Sequence, residues 1–126
     1  MKEIHLNNLK LKTFTELDAL DYCLLNDINL DNIIELYLVG NKLTDISDLK
    51  KLNILVLRDN KIKDISVIQN FKNLKTLSID NLELESDQIK YIKSLENLET
   101  LYCYKGFKDM KIIKQLNRNI EITELK

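Results

Sequence analysis

The chain contains no proline and only two glycines, Gly40 and Gly106, in 126 residues. With neither residue clustered, no flexible linker divides the chain, and its length suits one domain. Two isolated glycines also cannot form the Gly-rich loop that cradles a phosphate. Histidine occurs once, at His5, and cysteine twice, at Cys23 and Cys103. These three lack the spacing of a metal site, so no metal or cofactor is expected. No segment approaches the roughly 18 to 20 consecutive apolar residues of a membrane-spanning helix. Neither sign of charge dominates: 19 basic and 20 acidic residues leave a formal net charge of −1. The basic surplus that drives nucleic-acid binding is therefore missing. The N-terminus, Met1-Lys2-Glu3-Ile4-His5-Leu6-Asn7, has no apolar run and no small-residue cleavage site, so it does not read as a secretory signal. It suits a cytoplasmic protein, or a chain whose signal has been removed.

What the chain does have is a repeated pattern. Ile33-x-x-Leu36-x-Leu38-x-x-Asn41-x-Leu43 returns as Leu52-x-x-Leu55-x-Leu57-x-x-Asn60-x-Ile62. Residues 33–119 divide into units centred on Leu36, Leu55, Leu77 and Leu101, at spacings of 19, 22 and 24 residues. L-x-x-L-x-L is a short strand of period two whose alternate side chains point inward. One such unit buries a single side, so stability has to come from stacking. After each strand the chain must turn back. Asn41 and Asn60 sit at that turn, where a short amide can bond exposed backbone groups of its own and adjacent turns. Thr44-Asp45-Ile46-Ser47 and Lys63-Asp64-Ile65-Ser66 follow, with Asp or Ser placed to cap a short helical turn. Leu49 and Leu52, then Ile68 and Phe71, carry the apolar stripe at the three-residue spacing of a 3₁₀ turn. In the third unit Ser86-Asp87-Gln88-Ile89 reads as a cap and first turn, with Ile89, Ile92 and Leu95 as the buried face. Met110, Ile113 and Leu116 take those roles in the fourth. Ile120-x-Ile122, within residues 120–126, begins a last strand.

Residues 1–32 are less regular and are read as an N-terminal cap over the open end of the stack. Leu6-x-x-Leu9-x-Leu11 and Leu20-x-x-Cys23-x-Leu25 both fit the strand pattern, at spacings too short for full units. A helix around Phe14, Leu17 and Leu20 is the alternative. Cys23 and Cys103 occupy inward apolar positions at opposite ends of the stack, which predicts two reduced core thiols.

The repeats resemble those of leucine-rich repeat proteins. The resemblance is to the class of about 22 residues found in bacterial internalins and in a eukaryotic phosphatase regulatory subunit. It rests on N-x-L/I-x-D-I-S, present as Asn41-Lys42-Leu43-Thr44-Asp45-Ile46-Ser47 and as Asn60-Lys61-Ile62-Lys63-Asp64-Ile65-Ser66. Asp48 and Val67 stand where the internalin class often has proline. Leu82 and Gly106 stand at the asparagine position, with Asn81 one place early. The resemblance implies an α/β leucine-rich repeat solenoid over residues 1–126. A curved parallel sheet lies on its concave face and short α or 3₁₀ helices on its convex face. It also implies binding to a protein through the concave sheet.

If the leucines point inward, the residues between them face outward on the concave side. These are Glu35, Tyr37 and Val39; Ile54, Val56 and Arg58; Thr76, Ser78 and Asp80; and Thr100, Tyr102 and Tyr104. The expected partner-binding set is Glu35, Tyr37, Val39, Ile54, Val56, Arg58, Ser78, Asp80, Tyr102 and Tyr104. Tyrosine and arginine anchor interfaces more often than other side chains, although aromatic and β-branched residues also simply suit strands. Asp59 and Asp80 are placed near Arg58. On an open sheet, where water is not excluded, ion pairing or steering of a partner suits them better than acid–base work. The lysine-rich stretch from Lys105 to Lys114 follows a helical period and reads as a solvated face. The expected protein is a non-catalytic, monomeric interaction module with one protein partner and no nucleic-acid or membrane partner. Inhibition or immunity-type neutralisation of that partner is a refinement by analogy. The alternative is an assembly protein that self-associates through its ends or convex helices.

Overall fold

The computed structural model describes residues 3–27, 29, 32–46, 51–82, 84–104 and 120–125. The side chains of Glu16, Leu17, Ser86, Tyr104, Glu124 and Leu125 fall outside that description, as do Leu49, Met110, Ile113, Leu116 and the stretch from Lys105 to Lys114.

Six strands form one open, wholly parallel sheet whose spatial order is the chain order. They are β1 (Glu3–His5), β2 (Glu35–Tyr37), β3 (Ile54–Val56), β4 (Thr76–Ser78), β5 (Thr100–Tyr104) and β6 (Glu121–Leu125). The pairing is in register throughout. Ile4, Leu36, Leu55, Leu77, Leu101 and Ile122 lie side by side as one inward column. Every member from Ile4 to Leu101 is buried. A second inward column contains Leu38, Leu57, Ile79 and Cys103, all inaccessible to solvent. The strand centres expected at Leu36, Leu55, Leu77 and Leu101, and the last strand through Ile122, are therefore where the repeat spacing places them.

The returning segments close the other side of the core. A 3₁₀ turn at Ser66–Asn70 buries Ile68, with Ile65 and Phe71 packed on either side of it. In the next unit a 3₁₀ turn at Ser86–Gln88 runs into helix α2 (Ile89–Lys93). Ile89, Ile92 and Leu95 form its buried face. No side chain caps α2. Gln88 instead reaches across to the preceding unit, where its Oε1 accepts from the Ile65 amide at 2.8 Å. The 3₁₀ turn at Ser66–Asn70 has Ile65 at its N-cap and no side-chain cap, but Asp64 Oδ1 accepts from the Ser66 amide at 2.8 Å in a local turn. That bond holds the Asp64 carboxyl below the usual carboxylate range.

The asparagine ladder is present where the sequence keeps it. Asn41 Oδ1 accepts from the amides of Leu9 and Leu11, and its Nδ2 donates to the carbonyls of Leu6 and Leu38. Both Asn41 and Asn60 are buried. Leu82 takes the same position in the next unit and buries an apolar side chain there instead. The asparagine one place earlier, Asn81, has a separate job. Asn8, Gly40, Asp59 and Asn81 each stand three residues beyond the end of a strand, and all adopt positive φ, between 58° and 71°. Left-handed backbone favours glycine and tolerates Asn and Asp, which accounts for the residue types at this turn. Gly40 is further constrained by its neighbour. A Cβ built on it would lie 2.0 Å from Asn8 Oδ1.

The cap departs from one of the two readings of residues 1–32. Helix α1 spans Glu16–Leu25, so Leu20-x-x-Cys23-x-Leu25 is helical and not a strand. Thr15 and Asp18 form a reciprocal capping box at its start. Ala19 and Cys23, four apart, face the core with Phe14. Leu20 and Leu25 face solvent instead. The first strand is also displaced: it is centred on Ile4, and Leu6-x-x-Leu9-x-Leu11 belongs to the turn that follows it. Cys23 and Cys103 are both buried and not disulfide-bonded, as two core thiols should be. Desolvation pushes the Cys23 thiol up, away from the reactive thiolate.

Candidate protein-interaction face

Register turns the outward positions into rows that cross the whole sheet. The first row is Glu3, Glu35, Ile54, Thr76, Thr100 and Glu121. The second is His5, Tyr37, Val56, Ser78, Tyr102 and Thr123. Val39, Arg58 and Asp80 continue the third at the C-terminal ends of the strands, where the Leu38 and Leu57 amides extend the ladder. Parallel strands lie about 4.8 Å apart, so the side chains along one row are within reach of each other.

Glu35, Tyr37, Val39, Ile54, Val56 and Tyr102 are all partly exposed on this face. Tyr104 lies on β5, but its side chain is outside the described residues. Ser78 and Asp80 lie on the predicted face and yet are closed from solvent, at 5% and 3% exposure. Their burial comes from their neighbours. Arg58 Nε sits 2.9 Å from Asp80 Oδ2 and 3.5 Å from Asp59 Oδ2. Ser78 Oγ donates to Asp80 Oδ1 at 2.8 Å. Asn81 Nδ2 completes the chain of contacts by donating to Asp59 Oδ1 at 2.5 Å. Arg58 and Asn81 remain exposed, with Arg58 lying over a carboxylate that it neutralises. The grouping of Arg58 with Asp59 and Asp80 was legible in the sequence; the sealing of Asp80 was not.

At the other end of the sheet the N-terminal strand adds residues that the sequence reading passed over. His5 stacks on Tyr37 with ring centroids 4.3 Å apart and planes 3° from parallel. The Tyr37 hydroxyl donates to Glu35 Oε1 at 2.6 Å. Glu3 Oε2 stands 3.6 Å from His5 Nε2. The hydrogen bond to Glu35, then desolvation, then the nearby charges of Glu35 and Glu3 push the Tyr37 pKa up to about 12. Asn7 extends the same edge, its Oδ1 accepting from the Val39 amide at 2.7 Å. The signal for this strand was the apolar pair Ile4 and Leu6, matching Leu36 and Leu38. Ile4-x-Leu6-x-x-Leu9-x-Leu11 has leucine at the asparagine position, so the pattern also reads five residues late, centred on Leu9.

The face presents partly exposed aromatic and aliphatic side chains on an open sheet, with Arg58 held against two carboxylates. Among the described residues no group of three or more His, Cys, Asp or Glu is placed to hold a metal ion. No helix among them is long and apolar enough to cross a membrane.

Residues 31–70 match the family model described as leucine-rich repeats in two copies. Over 78 residues the chain is 37% identical to the uncharacterised protein F09G8.5 of Caenorhabditis elegans, a match covering 59% of this chain and 17% of that protein. The crystal structure of an internalin, InlF, from Listeria monocytogenes is similar with a TM-score of 0.66 and 29% identity. That similarity covers 78% of this chain and 30% of the internalin chain. The chain thus spans well under half the length of either relative.

Proposed function

We propose that the chain, whose residues 31–70 match leucine-rich repeats and whose fold is similar to that of an internalin, is a non-catalytic module that binds one protein partner through its concave sheet. Proteins built from such repeats generally mediate protein–protein interaction. The observation that carries the reading is the second row, where Tyr37, Val56 and Tyr102 stand partly exposed on β2, β3 and β5, with the buried Ser78 of β4 between the last two. Large amphipathic side chains on a rigid backbone lose little conformational entropy when a partner covers them. Glu35, Val39, Ile54 and Arg58 surround that row, while Ser78 and Asp80 act from beneath by fixing Arg58. Tyr104 belongs to the same face by strand position. The module acts in the cytoplasm as a monomer, and inhibits or neutralises its partner.

The test is affinity capture from source lysate followed by calorimetry with the recovered protein. Tyr37→Ala and Tyr102→Ala are each expected to weaken binding at least tenfold while circular dichroism stays native. Unchanged affinity in both variants would place the interface elsewhere.

One observation favours a second reading, self-association through the capped end. Leu24 and Leu25 of α1 are 73% and 86% exposed, and Leu9 and Leu20 are exposed as well. End units of a stack ordinarily turn a polar face outward. A groove of about 580 Å³ reaches Leu25, where Leu11, Phe14 and Tyr22 line it together with Lys10, Lys12, Asp18 and Asp21. Sedimentation velocity separates the readings: a concentration-dependent dimer abolished by Leu24→Glu supports assembly, and a monomer at all concentrations supports the partner-binding module.

A further inference from the structure

The charge on the concave rows is lopsided. Among their described side chains the formal cation is Arg58, against the carboxylates of Glu3, Glu35, Asp80 and Glu121. The chain as a whole carries only −1, so acidity is concentrated on this face and is not a background property. Arg58 is already engaged by Asp80 and Asp59. Among the described residues, no such neutralisation is seen at the carboxylates of the first two strands. Glu3 and Glu35 are directly paired across neighbouring strands, an arrangement in which like charges repel. Among the described residues, the groups that approach them are His5, which carries charge only when protonated, and the neutral Tyr37 hydroxyl. Beside them lie the stacked rings of His5 and Tyr37, each covering one face of the other. The raised Tyr37 pKa, driven in part by Glu35 and Glu3, reports the same negative surroundings.

The geometry points to a basic protein surface as the partner, with an arginine side chain seated between Glu3 and Glu35 against the His5–Tyr37 stack. This deepens the concave-face reading and rests on it. A guanidinium is planar, permanently charged and weakly hydrated. It can bond two carboxylates at once while its face lies on an aromatic ring. Seating it relieves the Glu3–Glu35 repulsion, so those two residues favour the bound state. Apolar contacts along Val56 and Tyr102 supply the desolvated remainder of the interface. A lysine offers the same charge without the bidentate fork and is expected to bind more weakly.

Two measurements test this. In the first, ¹⁵N-labelled protein is titrated with the blocked tripeptides Gly-Arg-Gly, Gly-Lys-Gly and Gly-Glu-Gly. The arginine peptide is expected to shift the amides of Glu3, His5, Glu35 and Tyr37 saturably, more than the lysine peptide, with the glutamate peptide inert. The combined variant Glu3→Gln/Glu35→Gln is expected to lose the response while keeping a native spectrum. Shifts spread evenly over surface carboxylates, or a response that survives the double variant, would overturn the arginine seat. In the second, the captured partner is titrated against the same double variant and against Tyr102→Ala. A loss of tenfold or more in both supports the seat. Loss with Tyr102→Ala alone sinks the arginine seat and leaves the concave interface standing. No loss in either sinks both.

Discussion

Asn60 ties its own turn to the preceding unit: its Nδ2 donates to the Leu38 carbonyl at 2.8 Å, 22 residues earlier in the chain. The same amide donates to the Leu57 carbonyl at 2.9 Å, and its Oδ1 accepts from the Leu43 amide at 3.1 Å. One side chain thus satisfies backbone groups on both sides of a repeat boundary, out of reach of water. Replacing it with alanine strands those groups. Each buried unsatisfied polar group costs about 1–3 kcal/mol, so Asn60→Ala should destabilise by about 3 kcal/mol. The check is the urea midpoint of unfolding. A loss below about 1 kcal/mol would mean that water replaces the amide there, and that the ladder adds little.

Tyr37 predicts a pH dependence. Its pKa is pushed up from 10.0 to about 12 in the folded protein. The native state therefore favours the protonated phenol. The associated stabilisation is complete below pH 10 and is lost as pH rises towards about 12. Tyr37→Phe has no proton to lose and should show a shallower fall over that window. The measurement is the denaturant midpoint at pH 9 and at pH 11.5 for both proteins, read as the difference between them so that other tyrosines and the lysines cancel. Parallel slopes would mean that the bond from Tyr37 to Glu35 does not persist in solution.

The two cysteines predict a chemical behaviour. Cys23 and Cys103 are 1% and 0% exposed, and burial disfavours the Cys23 thiolate. Neither should react with a thiol-specific disulfide reagent in the native protein within the time that one equivalent in urea reacts fully. Both should titrate on unfolding. A fast-reacting thiol under native conditions would show that the cap around Cys23, or β5 around Cys103, opens readily.

How much of this was readable from the residues differs along the chain. The four central strands were legible because Leu or Ile holds every inward position except that of Cys103, and a one-residue slip would turn each of them out. The first strand was misplaced because leucine stands at its asparagine position, so the apolar spacing fits two frames. Helix α1 was obscured for a related reason. Leu20, Cys23 and Leu25 mimic a strand pattern, whereas the helix buries Ala19 and Cys23 and leaves both leucines outside. Its Thr15–Asp18 capping box was the local clue that favoured a helix. On the concave face, alternation identified which residues point outward. Burial of Ser78 and Asp80 depends on where a long arginine side chain from the neighbouring strand comes to rest, and no single-strand pattern encodes that. The His5–Tyr37 stack joins residues 32 apart in the sequence, brought together by register alone.

Because the six strands follow one another in space as they do along the chain, no segment has to thread past another to reach its place. Under tension applied at its two ends such a molecule gives way at an edge strand. The newly exposed strand becomes the next edge, so extension proceeds as a series of small releases, each about one repeat long. The same ordering lets the chain assemble while it is still emerging from a ribosome, each unit finding its template already in position.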